Sequence, residues 1–164
     1  MKTLLALALV ACVASPALAL DAPAGPVVLT ISGSVKNANH DGSAAFDLTM
    51  IEAIEGRAAK METPWTKGEV EFTGPYLRKV LEAAGAEGTM LIVRALNGYS
   101  AEVPFADAVD LDTILATRLD GKPMTVRTKG PLMLVYPFDK DHSLYNEKYF
   151  TRSVWQIKEI EVVR

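Results

Sequence analysis

The sequence has almost no cysteine. Its single cysteine, Cys12, lies in an apolar stretch near the N-terminus, and residues 20–164 contain none. A disulfide, a thiolate metal ligand and a cysteine nucleophile are therefore excluded from that long C-terminal part. Its stability must come from a hydrophobic core, even in an oxidising compartment where disulfides would persist.

Long apolar runs are also missing. The apolar stretch Leu4–Val13 is too short to span a bilayer, which needs about 20 residues. It follows Lys2 and precedes Ala17 and Ala19, which is the pattern of a secretory signal peptide with its cleavage site. We therefore predict a signal peptide at residues 1–19, a single mature domain at residues 20–164, and a periplasmic location.

Cys12 leaves a second fate open. Leu9, Val10 and Ala11 precede it in a pattern that resembles a bacterial lipoprotein box. A lipidated Cys12 would tether the protein to a membrane, and no other membrane association is expected. We favour soluble export because a cleavage site with small residues lies just downstream.

An excess of basic residues is absent. The chain has 17 Lys and Arg against 20 Asp and Glu, and loss of Lys2 with the signal would change the formal charge from −3 to −4. Proteins that bind nucleic acid carry a basic surface, so no nucleic-acid partner is expected. Arg127, Lys129, Lys148 and Arg152 could form a small basic patch, but dispersed solvated charges are the favoured interpretation.

Familiar catalytic signatures are missing as well. The sequence has no nucleophile elbow, zinc-protease motif, P-loop or dinucleotide-binding glycine motif. It has only two histidines, His40 and His142, far apart in polar segments. Asp139, Asp141 and His142 offer hard ligands, but a solvated loop explains them equally well, and no metal is expected.

Hydrophobic patterns predict an α+β domain with more strand than helix. The predicted strands are 27–32, 57–63, 90–96, 99–103, 124–128, 132–136 and 155–162. A helix capped by Asp47 and one starting at Pro75 are predicted, with a short helical turn at 106–111. Residues 138–151 are predicted to be the longest irregular stretch, and loops of that length are more often functional.

The two tryptophans lie in different surroundings. Trp65 is in a polar segment bounded by Pro64 and Gly68, whereas Trp155 has apolar neighbours. Trp155 is therefore the better core candidate. For Trp65 two interpretations stay open: packing over a sheet edge, or a stacking platform for a flat ligand.

Several segments together resemble a known family. They are Thr63-Pro64-Trp65, Phe72 to Leu77 (F-T-G-P-Y-L), Leu96 to Tyr99 (L-N-G-Y), Gly130 to Pro137, and Arg152 to Val162. In order and spacing they resemble the oxidoreductase molybdopterin-binding domain. The resemblance implies a single α+β domain of the sulfite oxidase fold, mostly β with a few short helices.

The chain departs from the enzymes of that family at one position. In those enzymes a cysteine before the F-x-G-x-x-L helix ligates molybdenum, and Glu62 or Thr63 stands there in this sequence. The resemblance therefore implies a pterin-binding protein that is not an enzyme. It is similar in plan to small periplasmic pterin-binding proteins of the PruR type, which control a membrane-bound diguanylate cyclase/phosphodiesterase through its periplasmic domain.

The resemblance also suggests the ligand site. Trp65 would supply the aromatic face for the pterin. Thr63, Asn97, Tyr99 and Arg152 border the motif segments and would supply its rim. Glu62 would accept hydrogen bonds from the amino and ring N–H groups of the pterin if it lies on the pocket wall.

Two rival interpretations remain. A degenerate oxidoreductase could hold the molybdenum cofactor by its phosphate, through Arg127, Lys129 and Arg152. A ligand-free interaction module could instead dock a partner through residues 138–151. An entirely apolar pocket lining would favour the second rival.

Overall fold

The computed structural model describes residues 20–164. The predicted signal peptide, its cleavage site and Cys12 lie outside these residues. None of the described helices is both long enough and apolar enough to cross a bilayer.

The described chain contains eleven strands, four short helices and two 3₁₀ turns. The strands are β1 Val27–Gly33, β2 Ala44–Asp47, β3 Gly56–Met61, β4 Val70–Pro75, β5 Met90–Ala95, β6 Ser100–Pro104, β7 Ile114–Ala116, β8 Arg118–Leu119, β9 Lys122–Pro123, β10 Met133–Val135 and β11 Ile157–Val163. The helices are α1 Leu48–Glu52, α2 Leu77–Ala83, α3 Phe105–Val109 and α4 Glu147–Arg152, and the 3₁₀ turns are Val126–Thr128 and His142–Leu144.

The main sheet has five strands in the order β2-β1-β11-β5-β6. β1 and β11 are parallel, and the other neighbours are antiparallel. Alternate side chains along the strands, such as Leu29, Ile31, Leu91 and Val93, are fully buried. One face of the sheet therefore covers the core, as the period-two pattern requires.

Two smaller sheets complete the core. One has the order β3-β4-β8-β9 and the other pairs β10 with β7. Every residue of β10 and β7 is buried, which confirms the prediction that the apolar run at 132–136 is an interior strand.

Asp47 caps α1 as predicted. Its carboxylate accepts hydrogen bonds from the backbone N–H groups of Met50, Ala24 and Gly25. These donors, with that of Met50 first, hold the pKa of Asp47 below its usual value. The cap thus also attaches the segment before β1 to the domain.

The start of α2 differs from the prediction. Pro75 is the last residue of β4, paired with Gly56, and Tyr76 is the residue that precedes the helix. The pairing with β3 extends β4 through the proline, whose missing N–H does not matter at a strand end. The predicted apolar face of α2 is confirmed, since Leu77, Val80 and Leu81 are buried.

The strands predicted at 90–96 and 99–103 form a hairpin. β5 and β6 are antiparallel, and Ala95 N–H donates to the Tyr99 carbonyl at 2.8 Å. Gly98 has a φ of +87°, a conformation that glycine adopts without a steric penalty.

Two stretches were wrongly predicted. Residues 138–151 are not irregular throughout, because they contain a 3₁₀ turn and most of α4, whose start is capped by the Asn146 side chain bonded to Lys148 N–H. The strand predicted at 124–128 is replaced by a 3₁₀ turn, in which Thr125 and Thr128 exchange hydrogen bonds between side chain and backbone. In both places local side-chain bonds to the backbone outweigh weak periodicity.

Candidate functional site

A cavity of about 270 Å³ opens beside the β5–β6 hairpin. We call it the ligand cavity. Its lining residues are Ala95, Asn97, Tyr99, Phe150, Thr151, Ser153, Val154, Trp155 and Gln156. Its volume is just below the range typical of small-molecule pockets, which restricts it to a compact ring system.

Hydrogen bonds join the two sides of this cavity. Leu96 N–H donates to the Gln156 carbonyl at 2.9 Å, and the Tyr99 hydroxyl donates to the Thr151 carbonyl at 2.8 Å. Gln156 has a φ of +53°, and its side-chain amide donates to the Val126 carbonyl at 2.9 Å. The hairpin, the segment after α4 and the 3₁₀ turn therefore form one connected rim.

Aromatic rings form one wall of the cavity. Trp65 makes edge-on contacts with Trp155, at 5.6 Å between centroids, and with Phe150, at 5.8 Å. Trp155 is 37% exposed, whereas Trp65 is half-buried against the core. The expectation that Trp155 is the core tryptophan is thus wrong, because the turn at Gln156 rotates it out of the strand that begins at Ile157.

Thr63 is hydrogen-bonded to the backbone of Trp65 and is shielded from solvent. It is buried, its hydroxyl is 3.0 Å from that of Thr66, and it accepts from Trp65 N–H at 3.3 Å. Glu62 beside it is exposed and is not among the residues that line the cavity. Neither residue therefore contributes to the cavity wall, which differs from the expected rim.

Arg152 lies in the chain between the cavity-lining residues Thr151 and Ser153 and is paired with an acid. Its guanidinium donates to the Asp107 carboxylate at 2.9 Å, and the Tyr136 hydroxyl donates to the same oxygen at 2.7 Å. Burial, and then the hydrogen bond to Asp107, raise the pKa of Tyr136 well above its usual range. Arg152 thus anchors the C-terminal end of α4, from which the cavity-lining segment continues.

Of the residues expected at the site, Asn97 and Tyr99 line the cavity, and Trp65 contacts two aromatic residues of its lining, Phe150 and Trp155. The lining also includes Trp155, which was expected in the core, Phe150, from the segment expected to be a functional loop, and Gln156, from the predicted strand 155–162. The Arg152 to Val162 segment marked this region, but no local signal indicated that Trp155 is exposed.

The chemical character of the cavity suits a flat polar ring. Trp155 and Tyr99 offer aromatic faces. The Asn97 amide oxygen accepts from Tyr99 N–H and the Gln156 amide N–H donates to Val126, so Asn97 offers its NH₂ group and Gln156 its amide oxygen. A metal fits less well, since residues 20–164 contain no cluster of three or more His, Cys, Asp or Glu arranged to hold an ion. The arrangement favours binding of an organic ring over direct metal ligation.

A second depression, of about 400 Å³, lies beside β3, β4 and β8. We call it the ion-pair groove, because Arg118 binds Glu52 through two guanidinium nitrogens and Arg57 binds Asp139 in the same way. Arg57 lowers the pKa of Asp139, and Arg118 lowers the pKa of Glu52. These charges are already paired within the chain.

Comparison with known proteins places this geometry in context. The model of the oxidoreductase molybdopterin-binding domain matches residues 47–164. The structure of the sulfane dehydrogenase SoxCD from Paracoccus pantotrophus is similar, with a TM-score of 0.57 and 18% sequence identity. The match covers 82% of this chain and 37% of the SoxCD chain. No curated protein sequence matches the chain.

The structural match supports the fold alone, since its identity is low. Together with the family match it confirms the predicted α+β domain of the sulfite oxidase fold, mostly β with four short helices.

Proposed function

The chain belongs to the oxidoreductase molybdopterin-binding domain family, and from that membership we propose that it binds a pterin without carrying out redox catalysis. The observation that carries this proposal is the ligand cavity, which combines aromatic faces with the side-chain amides of Asn97 and Gln156. A pterin is a flat bicycle with a hydrogen-bonding edge and needs both features.

The absence of catalysis is proposed from the chemistry of the available donors. A molybdenum centre, where present, supplies oxygen-atom and electron transfer. The metal-ligating cysteine of the related enzymes would fall at Glu62 or Thr63. The Thr63 hydroxyl is buried and bonded to Thr66, and Glu62 points to solvent outside the cavity. Nothing at this position replaces a thiolate.

We further propose that the domain is a periplasmic regulator. Tyr99 and Trp155 are exposed large apolar side chains that line the cavity. Leu96 and Val126 are also exposed, and their backbones bond to the cavity-lining residue Gln156. Such a cluster is typical of a contact surface. Its partner would be the extracytoplasmic domain of a membrane signalling enzyme, a diguanylate cyclase/phosphodiesterase. The pterin can act on that enzyme only if the loaded and empty forms bind it with different affinities.

One purification tests the pterin proposal. Small molecules extracted from the purified protein should show pterin fluorescence, and metal analysis should find no stoichiometric molybdenum. Stoichiometric molybdenum together with turnover of sulfite or a sulfoxide would contradict it. Equal affinity of the loaded and empty forms for the partner domain would contradict the regulatory role alone.

The degenerate oxidoreductase remains as a second candidate, because Arg127 and Lys129 make no ion pair within residues 20–164 and lie on the turn beside the cavity. Arg152, the third expected phosphate ligand, is bound to Asp107 instead. The ligand-free interaction module is less well supported, since polar side chains contribute to the cavity lining.

A further inference from the structure

Asn97 differs from the other asparagines in the residue that follows it. The sequence contains four asparagines, and only Asn97 precedes a glycine. Gly98 has no side chain to shield its peptide nitrogen, and a Cβ at this position would meet no other atom within 4 Å. The Asn97 side chain is therefore sterically open to attack by the next peptide nitrogen of the chain.

The hairpin tip holds the Asn97 side chain close to that nitrogen. The Asn97 Oδ1 accepts a hydrogen bond from Tyr99 N–H at 3.0 Å, so the side chain folds toward the Gly98 peptide. When the Gly98 nitrogen bonds to Cγ, negative charge develops on Oδ1, and the Tyr99 N–H already donates to that atom. Proximity and a donor in place both favour ring closure.

One hydrogen bond opposes ring closure. Gly98 N–H donates to the Ala95 carbonyl at 3.2 Å and must be released before its nitrogen can react. Residues 96–100 are all exposed, and the bonds of an exposed hairpin tip open locally at a small cost in free energy. This bond therefore slows the reaction without preventing it.

Asn146 provides a comparison within the same chain. Its Oδ1 accepts from Lys148 N–H at 3.1 Å, which is the same arrangement as at Asn97. However, Glu147 follows it with a full side chain, and its Nδ2 donates to the Ser143 carbonyl at 2.8 Å. At Asn97 only the oxygen is bonded within residues 20–164, so the amide nitrogen is free to leave.

We propose that Asn97-Gly98 is a self-modification site at the ligand cavity, where Asn97 deamidates with water as the co-reactant. The Gly98 nitrogen loses its proton and forms a bond to Asn97 Cγ. The bond from Cγ to Nδ2 breaks, and its electron pair leaves with ammonia, which takes up the proton. Water then opens the five-membered imide at either carbonyl and gives an aspartate or an isoaspartate.

The reaction changes the chemistry of the cavity. None of the lining side chains carries a formal charge, so either product introduces a carboxylate into an uncharged lining. The Nδ2 donor is lost at the same time, and isoaspartate also adds a carbon to the main chain of the hairpin. This consequence for ligand binding rests on the proposed pterin-binding function, whereas the deamidation itself does not.

The first test follows the purified protein in mildly alkaline buffer by peptide mass mapping. The peptide that contains Asn97 should gain about 1 Da at least about tenfold faster than the peptide that contains Asn146. The rate should rise with pH because the deprotonated nitrogen attacks. Asn97→Gln should remove the gain, since its ring closure would need a larger imide.

Equal rates at Asn97 and Asn146 would overturn the proposal. Conversion of Asn97 in urea but not in the folded protein would also overturn it, because the hairpin would then protect the site.

The second test measures the consequence for binding. Asn97→Asp represents one product in a stable form, and its affinity for 6-hydroxymethylpterin should be at least about fivefold weaker, because a carboxylate replaces the amide donor. Asn146→Asp is the matched control, since it adds the same charge outside the cavity lining and should leave the affinity unchanged. Equal affinity of Asn97→Asp and the wild type would overturn this consequence. Failure of the wild type to bind would instead contradict the pterin function.

Discussion

The ligand cavity and the ion-pair groove differ in what they leave available. The cavity is lined by aromatic and amide side chains without formal charge, whereas the groove is closed by Glu52–Arg118 and Arg57–Asp139. Charges paired within the chain offer a ligand less than free ones, and in the groove the Arg57 Nε is the only buried side-chain nitrogen or oxygen of residues 20–164 without a hydrogen-bond partner. Open volume alone therefore does not identify a binding site, and the larger of these two depressions is the less suited to one.

The largest expected effect comes from the charge pair beneath the cavity. Asp107→Ala would leave the largely buried Arg152 guanidinium and the Tyr136 hydroxyl without their acceptor. We expect the free energy of unfolding to fall by about 3–5 kcal/mol, measured by urea denaturation.

The control for that change is Glu161→Ala, which breaks a more exposed pair with Arg94. Its expected cost is below about 1 kcal/mol. Similar losses of unfolding free energy in both variants would contradict the expectation that the more buried Asp107–Arg152 pair is the more costly one to break.

The two tryptophans give the next effect. Trp155→Ala should weaken pterin binding by about 1–3 kcal/mol, by analogy with base stacking, while the melting temperature changes little because the side chain is partly exposed. Trp65→Ala should lower the melting temperature as well, since Trp65 packs on the core and supports Trp155.

Both quantities are measured on each variant, by thermal melting and by fluorescence titration. A Trp155 variant with unchanged affinity, beside a Trp65 variant that loses affinity, would return the stacking role to Trp65. Reduced stability without reduced affinity in both variants would show that neither tryptophan contributes to pterin binding.

The ion-pair groove predicts a pH effect. The hydrogen bond from Arg57 lowers the folded-state pKa of Asp139 below its ordinary value of 3.8. The resulting stability is present above that value and is lost as the pH falls through the lower folded pKa. The wild type should therefore lose unfolding free energy below about pH 4, and Asp139→Asn should make this loss smaller by an amount on the order of 1 kcal/mol.

This difference is measured by denaturation at a series of pH values. A wild type and an Asp139→Asn variant with parallel acid profiles would contradict the prediction. The same variant should leave pterin affinity unchanged, because Asp139 does not line the ligand cavity.

The smallest effect is expected at the more exposed pair of the groove. Glu52→Gln removes one charge of a bidentate pair whose partner, Arg118, is 39% exposed. It should cost less than about 1 kcal/mol, and the cost should shrink in high salt. A loss of pterin affinity in this variant would show that the two depressions are coupled.

Local features of the fold could be predicted from the sequence because they depend on neighbouring residues. Asn97-Gly98 favours a turn between two strands because Gly98 adopts a positive φ without a steric penalty, and Asp47 predicted a helix start because its side chain reaches the next turn. α4 was missed since its order comes from the Asn146 cap and from ring contacts of Tyr149 and Phe150, not from a periodic pattern.

The site was less predictable because it depends on long-range contacts. Trp155 is turned outward by the conformation of Gln156 and touches Lys129, which is distant in sequence. Arg152 meets Asp107 across the fold, and nothing near either residue indicates the other. The family resemblance identified the right segments, but individual side-chain orientations needed the structure.

The parallel pairing of β1 with β11 bears on the order in which the domain can fold. Thr30 lies opposite Glu159, and β11 is the central strand of the main sheet. A chain synthesised from its N-terminus therefore cannot complete this sheet until β11 has left the ribosome. A stop codon ahead of Ile157 would remove the middle of the sheet, and the remaining β2-β1 and β5-β6 hairpins would have no strand to join them.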